Sequence, residues 1–486
     1  MVGLFGVLLT VSGVAVAVWL VRARRQVTAS FGGDATAVAL IGFAVLTNAA
    51  PVLAGDRSSA LIGLLVLCLL AWLVVSGRRS LRGPTDVWRR ISLLMAGALL
   101  AWCFAVDALS GAGLYGSRLA AYGASALLLL AVALLSHGTA LTSRAMAWTG
   151  LAVLSVMTIP TVFSGQSWRA CTAGKLEKCS MAGALFKSFY ESENYVAMLA
   201  SFTLVASLCA MRRLAAVAST SFCLLIIVAT GSRTSYLALA AAGLWLLGSL
   251  VLERWRKFPR ISFPLCVALV VAALGLATYL TWTASKTTLS NRGNIWMAAR
   301  EYIAGTEATG VGVSKWYYLR DVGEAPTHFF HSGYVLVIFA GGLVGLTLWG
   351  LWAATLLHGA VTDGRAFSAK APVALLVVYS FTEVVWNPLS VDGLSWIFVV
   401  LVLTASASAT ADPVPARGPV DAADRPGGRW AALRRLMPRT AGRHAALGRG
   451  AEPAPGLAVP SSSERHGRPG RWAADPSGSY VAEGRP

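Results

Sequence analysis

Apolar residues fill stretches as long as a helix that crosses a bilayer, and polar residues gather between them. The runs lie near 2–21, 36–54, 59–76, 91–110, 119–136, 146–163, 193–211, 214–230, 236–252, 261–282, 332–357, 371–388 and 393–410. Hydrocarbon offers a backbone no hydrogen-bond partners, so each span must bond itself, and roughly 20 helical residues cover the distance of about 30 Å. The pattern predicts an all-α polytopic membrane protein of about 12–13 transmembrane helices, forming one membrane domain over 1–410. Two intervening segments are long, 164–192 and 283–331. In the second, Ile295, Trp296, Ala299 and Ile303 recur at helical spacing, which predicts an amphipathic helix on the membrane surface, and ATGVGV follows as a glycine-rich turn. Beyond residue 410 the pattern fails. Eleven of the chain's 19 prolines fall in 411–486, with 12 arginines, as expected of a disordered basic tail.

Composition agrees. Hydrophobic residues make up 56% of the chain and charged residues 13%, where a soluble domain carries about 25% charged. The net charge of +19 does not point to nucleic acid, because most basic residues lie in short loops beside apolar runs, where they orient helices. With the N-terminus outside, inner loops hold 17 Lys and Arg and outer loops 12, and the tail is cytoplasmic. Charges follow the first run (Arg22, Arg24, Arg25), the reverse of a secretory signal, so that run reads as a span. Five cysteines sit inside apolar runs as small hydrophobes. Cys171 and Cys179 share a polar loop that this topology turns to the oxidising exterior, where a disulfide persists. Arginine outnumbers lysine 34 to 7, the bias of a high-GC genome.

Candidate chemistry is sparse. Among the histidines only His328 and His331 fall outside, where the long loop enters a span. Such residues can cap a helix or touch headgroups; as a metal pair they lack a third ligand, so no metal site is expected. Arg233, Arg292, Arg300, Lys315 and Arg320 lie outside, against the charge rule. They read either as headgroup contacts or as a guanidinium cluster for a membrane-anchored diphosphate. Glu383 and Asp107 sit near the outer surface, where a carboxylate is either functional or paired to a nearby arginine.

In order along the chain, these residues resemble a known family. His331-Ser332, nine residues, then Gly342-Leu343-Val344-Gly345 is similar to the H-[NSQ]-x9-G-x-x-G signature of bacterial O-antigen ligases. GSRTSYLALA resembles the Ser-Arg-Thr segment that opens a span in the wider O-antigen ligase and polymerase family, and NRGNIW with GVGV resembles that family's Arg–Trp and Gly-x-Gly pattern. SENYVAMLA around Asn194 and the placement of Glu383 fit too, so the likeness covers about 190–390.

The resemblance implies a C-type membrane glycosyltransferase of the plasma membrane with an extracytoplasmic site. Its donor would be an undecaprenyl-diphosphate-linked oligosaccharide and its acceptor a glycan or glycolipid; membrane lipids and polysaccharide-assembly proteins are further partners, and no cofactor is implied. His331 would act as base, with Arg233 and Arg292 on the diphosphate and Trp296, Arg300, Arg320, Glu383 and Asn194 as further substrate-binding residues. The transfer would be inverting and metal-independent. A Gram-positive source would favour a polymerase of surface polysaccharide over a ligase. The competing readings are a flippase, which needs mid-span charges and internal repeats, and a peptidoglycan polymerase of the cell-shape and division family. The latter would rest on an outer aspartate such as Asp321.

Overall fold

The computed structural model describes residues 1–77, 87–110, 116–135, 141–171, 178–190, 192–211, 213–252, 258–326, 329–359 and 370–405. The 411–486 segment and His328 therefore lie outside the described residues. The expectation of an all-α polytopic membrane protein holds. Eight helices are long and apolar enough to cross a membrane, and the described residues contain a single two-stranded sheet.

The long elements are α1 (Val2–Arg22), α3 (Asp34–Ala54), α4 (Ser58–Gly77), α5 (Val87–Leu109), α6 (Gly116–Leu135), α8 (Glu193–Ala210), α9 (Arg213–Thr230), α10 (Arg233–Leu252), α11 (Phe258–Thr283) and α14 (Gly333–Gly359). Shorter helices are α2 (Arg24–Ser30), α7 (Arg144–Thr158), α12 (Thr288–Ile303), α13 (Val313–Asp321), α15 (Ala371–Tyr379) and α16 (Ser395–Ala405). Helices α8 and α14 are buried on most of their faces, whereas α10 and α11 present leucines and valines outward, among them Leu237, Leu244, Leu247 and Val271. An outward belt of that kind is what lipid covers and what water would not tolerate.

Two departures from the expected spans position the site. The run 371–388 does not continue as one helix. Helix α15 stops at Tyr379 after 9 residues, too short to cross, and irregular chain runs to α16. The buried carboxylate of Glu383 and the Asn387-Pro388 pair interrupt the helix, since a residue before proline disfavours the α conformation. Non-helical backbone at such a depth must find partners within the protein, and here α14 supplies them. Gly333 N–H donates to the Glu383 carbonyl at 3.1 Å and Tyr334 N–H to the Ser380 carbonyl at 3.3 Å. Ser332 caps α14, accepting from Val335 N–H at 3.3 Å while its hydroxyl donates to the Ser380 carbonyl at 3.0 Å.

The second departure is a kink inside α14 at Gly342, where φ is +62°. Four of the backbone groups beside it bond outside the helix. Val311 N–H reaches the Phe339 carbonyl at 2.9 Å, Leu343 N–H the Glu307 carbonyl at 2.9 Å and Val344 N–H the Ala308 carbonyl at 3.1 Å. The Trp102 indole N–H donates to the Gly341 carbonyl at 2.7 Å. A Cβ on Gly342 would stand 2.4 Å from the Ala308 carbonyl, and one on Gly310 2.5 Å from the Gly342 nitrogen. Gly342→Ala is therefore expected to destabilise the protein by about 2 kcal/mol or more, through strain at positive φ and lost loop bonds. Thermal melting of the detergent-solubilised variant checks this, and an unchanged midpoint would refute it.

The segment 283–331 also differs from expectation. Helix α12 forms, but Ile295, Trp296, Ala299 and Ile303 are buried in protein rather than turned to a membrane surface, because α11 and α14 pack over that face. Within 164–192, β1 (Trp168–Arg169) pairs antiparallel with β2 (Leu185–Phe186), and Cys171 and Cys179 are joined in a disulfide.

Candidate active site

One carboxylate organises the site. Glu383, 6% exposed, lies in the irregular chain after α15. Its Oε1 accepts from Arg292 Nη2 at 2.5 Å and from Asn194 Nδ2 at 2.9 Å, and its Oε2 faces His331 Nδ1 at 3.9 Å. Arg292 also donates through Nη1 to the Thr382 carbonyl. His331, Arg292, Glu383 and Asn194, taken from four separate stretches of sequence, thus form one contiguous cluster.

Each member is aimed by its own element. Asn194 stands in the first turn of α8, where the Ser192 hydroxyl caps the helix by accepting from Asn194 N–H at 3.2 Å. Arg292 is on α12, whose buried face fixes the helix. His331 immediately precedes the Ser332 cap of α14 and has φ of +47°, uncommon for a residue with a side chain. Trp296 holds that turn from behind, since its indole N–H donates to the Phe330 carbonyl at 3.1 Å. Trp296 is 1% exposed and packs behind the histidine segment. The His331 side chain is 41% exposed, so the imidazole is reachable.

Arg233 opens α10, exposed, one residue after the buried Ser232. The Ser232 hydroxyl donates to Asn194 Oδ1 at 3.0 Å, which joins the Arg233 turn to the cluster. Behind it the Ser235 hydroxyl donates to Ser232 at 3.1 Å, and the Tyr379 hydroxyl is 2.8 Å from both Ser235 and Ser201. The N-termini of α8, α10 and α14 consequently meet at the same place. Each brings a partial positive charge, and Arg233, Arg292 and Lys178 add full ones. Such an arrangement suits an anion, with the Glu383 and Glu193 carboxylates offsetting the Arg292 and Lys178 charges.

Other candidates have other partners. Arg300 donates to the Trp282 carbonyl at 2.5 Å, at the C-terminal end of α11, where a cation suits the helix dipole. Arg320 lies 4.9 Å from the Tyr317 ring centre and pairs with Asp321 at 3.4 Å. Arg118 covers the same ring at 3.8 Å, a neighbour with no motif to announce it. Asp321 is 63% exposed in that pair, an ordinary surface position. Asp107 is fully buried and structural: it accepts from Ser314 N–H at 2.8 Å and Ser314 Oγ at 2.7 Å, capping α13 across the bundle. Among the described residues, no three histidine, cysteine or acidic side chains converge as a metal would require.

Sequence reasoning did not single out Lys178, Glu193 or Ser232. Lys178 Nζ donates to Glu193 Oε1 at 2.5 Å and to Asn194 Oδ1 at 3.0 Å. A lysine beside a cysteine in an arginine-dominated chain was the available signal.

No curated protein matches the chain. Residues 214–350, which include Arg233, Arg292, His331 and the Gly342 kink, match the family described as O-Antigen ligase.

Proposed function

We propose that the protein is a membrane glycosyltransferase that uses an undecaprenyl-diphosphate-linked oligosaccharide as donor and an acceptor sugar hydroxyl on the outer face of the plasma membrane. It works as a polymerase of surface polysaccharide or an O-antigen-ligase-like enzyme. The observation that carries this reading is the exposed imidazole of His331, with Nδ1 turned to Glu383, beside the meeting point of three helix N-termini. A base next to a positive field is what glycosyl transfer from a diphosphate requires.

In this reading Glu383 holds the proton on Nδ1, which makes Nε2 the basic nitrogen of the imidazole. An acceptor hydroxyl loses its proton to Nε2 as its oxygen bonds the anomeric carbon, and the bond from that carbon to the diphosphate oxygen breaks. The electron pair leaves with the lipid diphosphate, and in-line displacement inverts the anomeric centre. Arg233 and the helix termini stabilise the charge that develops on the leaving group. Arg292 serves mainly to hold Glu383, since two of its donors already face that carboxylate and the Thr382 carbonyl. The cationic groups supply the stabilisation without a metal.

Incubation of purified protein with lipid-linked repeat units tests the activity. Ladders identify a polymerase and a single addition a ligase; movement of the glycan without a new glycosidic bond would overturn the proposal in favour of a transporter. Arg233→Ala and Arg292→Ala are expected to lower kcat/KM for the donor by about 10- to 100-fold, the scale of charge-assisted hydrogen bonds. Lys315→Ala is expected to change it little, because Lys315 leans over the Tyr318 ring at 5.5 Å instead. Equal effects at all three positions would overturn the roles given to Arg233 on the diphosphate and to Arg292 on Glu383.

A further inference from the structure

Lys178, inside the loop closed by the Cys171–Cys179 disulfide, reaches into the site. Lys178, 20% exposed, donates to Glu193 Oε1 and to Asn194 Oδ1. The Ser232 hydroxyl is the other donor on that oxygen. An ammonium group has no acceptor, so the atom of Asn194 that faces it has to be the carbonyl oxygen. The amide nitrogen is thereby turned toward Glu383 Oε1, 2.9 Å away. With the opposite amide orientation, Asn194 would set an oxygen against the carboxylate and an N–H₂ against the ammonium, and both contacts would repel.

The loop is seated at a second point. Gly231 has φ of +61°, and a Cβ there would stand 3.1 Å from the Cys179 carbonyl oxygen. The disulfide-closed backbone therefore packs directly on the turn that leads into Arg233. Cys179 follows Lys178 in the chain and is bonded to Cys171, so the crosslink restricts where the ammonium can go.

We infer that Lys178, held by the Cys171–Cys179 crosslink, is a positioning residue that fixes the amide orientation of Asn194 and through it the Glu383–His331 pair. The inference rests on the assignment of those two residues under the proposed function. The competing account is that Lys178 only neutralises Glu193, which is 5% exposed.

Full-length protein in nanodiscs separates the two. Lys178→Met alone would leave the buried Glu193 carboxylate with Arg169 at 3.8 Å in place of a hydrogen-bonded ammonium and lower stability, so the informative variant is Lys178→Met with Glu193→Gln, compared with Lys178→Arg. Two readouts are taken: turnover of an undecaprenyl-diphosphate-linked oligosaccharide, and the rate at which diethyl pyrocarbonate acylates His331, followed by mass spectrometry. The second needs no glycan. The double variant is expected to lower both kcat and His331 acylation roughly tenfold, the scale of outer partners of a functional imidazole, with KM for the donor nearly unchanged. Lys178→Arg should restore both, and Cys171→Ser with Cys179→Ser should reproduce the loss. A double variant with wild-type kcat and wild-type acylation would overturn the inference while leaving the proposed function intact. An equal fall at His358, at the far end of α14, would mark general loss of structure and also overturn it. Reduced acylation in a protein that transfers no glycan would instead reject the proposed activity and keep the positioning role.

Discussion

His331→Ala is expected to lower glycan transfer by about 10²- to 10⁴-fold, the usual contribution of a positioned general base, with little change in folding. The imidazole is 41% exposed and lies outside the helix interior, so its removal opens no cavity, and the Ser332 cap of α14 is untouched. His331→Gln should be as inactive, because an amide keeps a polar group in place without accepting a proton near neutral pH. The separation of 3.9 Å from Glu383 is ion-pair range rather than a hydrogen bond, and catalytic contacts of this kind commonly tighten when substrate arrives. The measurement is single-turnover transfer by purified variants, with melting temperature as the control for fold. Turnover that persists in His331→Ala would remove the base and leave the match over residues 214–350 without a mechanism.

How much of this was legible beforehand differs from element to element. Long apolar runs specify helices because a lipid-exposed backbone has no other way to satisfy itself, so α1, α3 to α6, α8 to α11 and α14 follow from composition and length. The same reasoning misreads 371–388. Its apolar content continues past Tyr379, but what decides the backbone there is tertiary: Ser380 and Glu383 carbonyls bond the first N–H groups of α14. Ile295, Trp296, Ala299 and Ile303 show the limit of periodicity. Spacing identifies an apolar face on α12, but not whether lipid or protein covers it.

The site divides along the same line. His331, Arg233, Arg292, Glu383 and Asn194 are discernible because a charged or titratable group beside a membrane span needs a reason. Lys178 is not, since its importance lies in bonds to Glu193 and Asn194 formed 15 and 16 residues away through a disulfide loop. Nor is the task of Gly342. In sequence it is the first glycine of a spacing pattern, and in the fold it is the point where α14 bends to receive the 307–311 loop.

The two substitutions of Glu383 should differ in stability and behave alike in activity. Glu383→Ala removes the counter-charge of Arg292, whose side chain is 15% exposed. A buried pair broken on one side costs about 3–5 kcal/mol, because the remaining charge has lost its compensation; the Thr382 carbonyl still accepts from Arg292 but carries no full charge. The Gly333 N–H bond goes to the backbone carbonyl of residue 383 and survives either change. Glu383→Gln keeps an acceptor oxygen for Arg292 and Asn194 and should lose far less stability. Its amide nitrogen, however, would face His331 Nδ1 and donate to it, which moves the imidazole proton to Nε2 and removes the lone pair the acceptor hydroxyl needs. Glu383→Gln is therefore expected to be folded and slower by about 10²-fold or more, by the tautomer argument that applies to carboxylate–histidine pairs in general. Melting midpoints compared with single-turnover rates separate the effects. A folded Glu383→Gln protein with wild-type rate would mean that this carboxylate holds Arg292 and Asn194 together and has no part in aiming the imidazole.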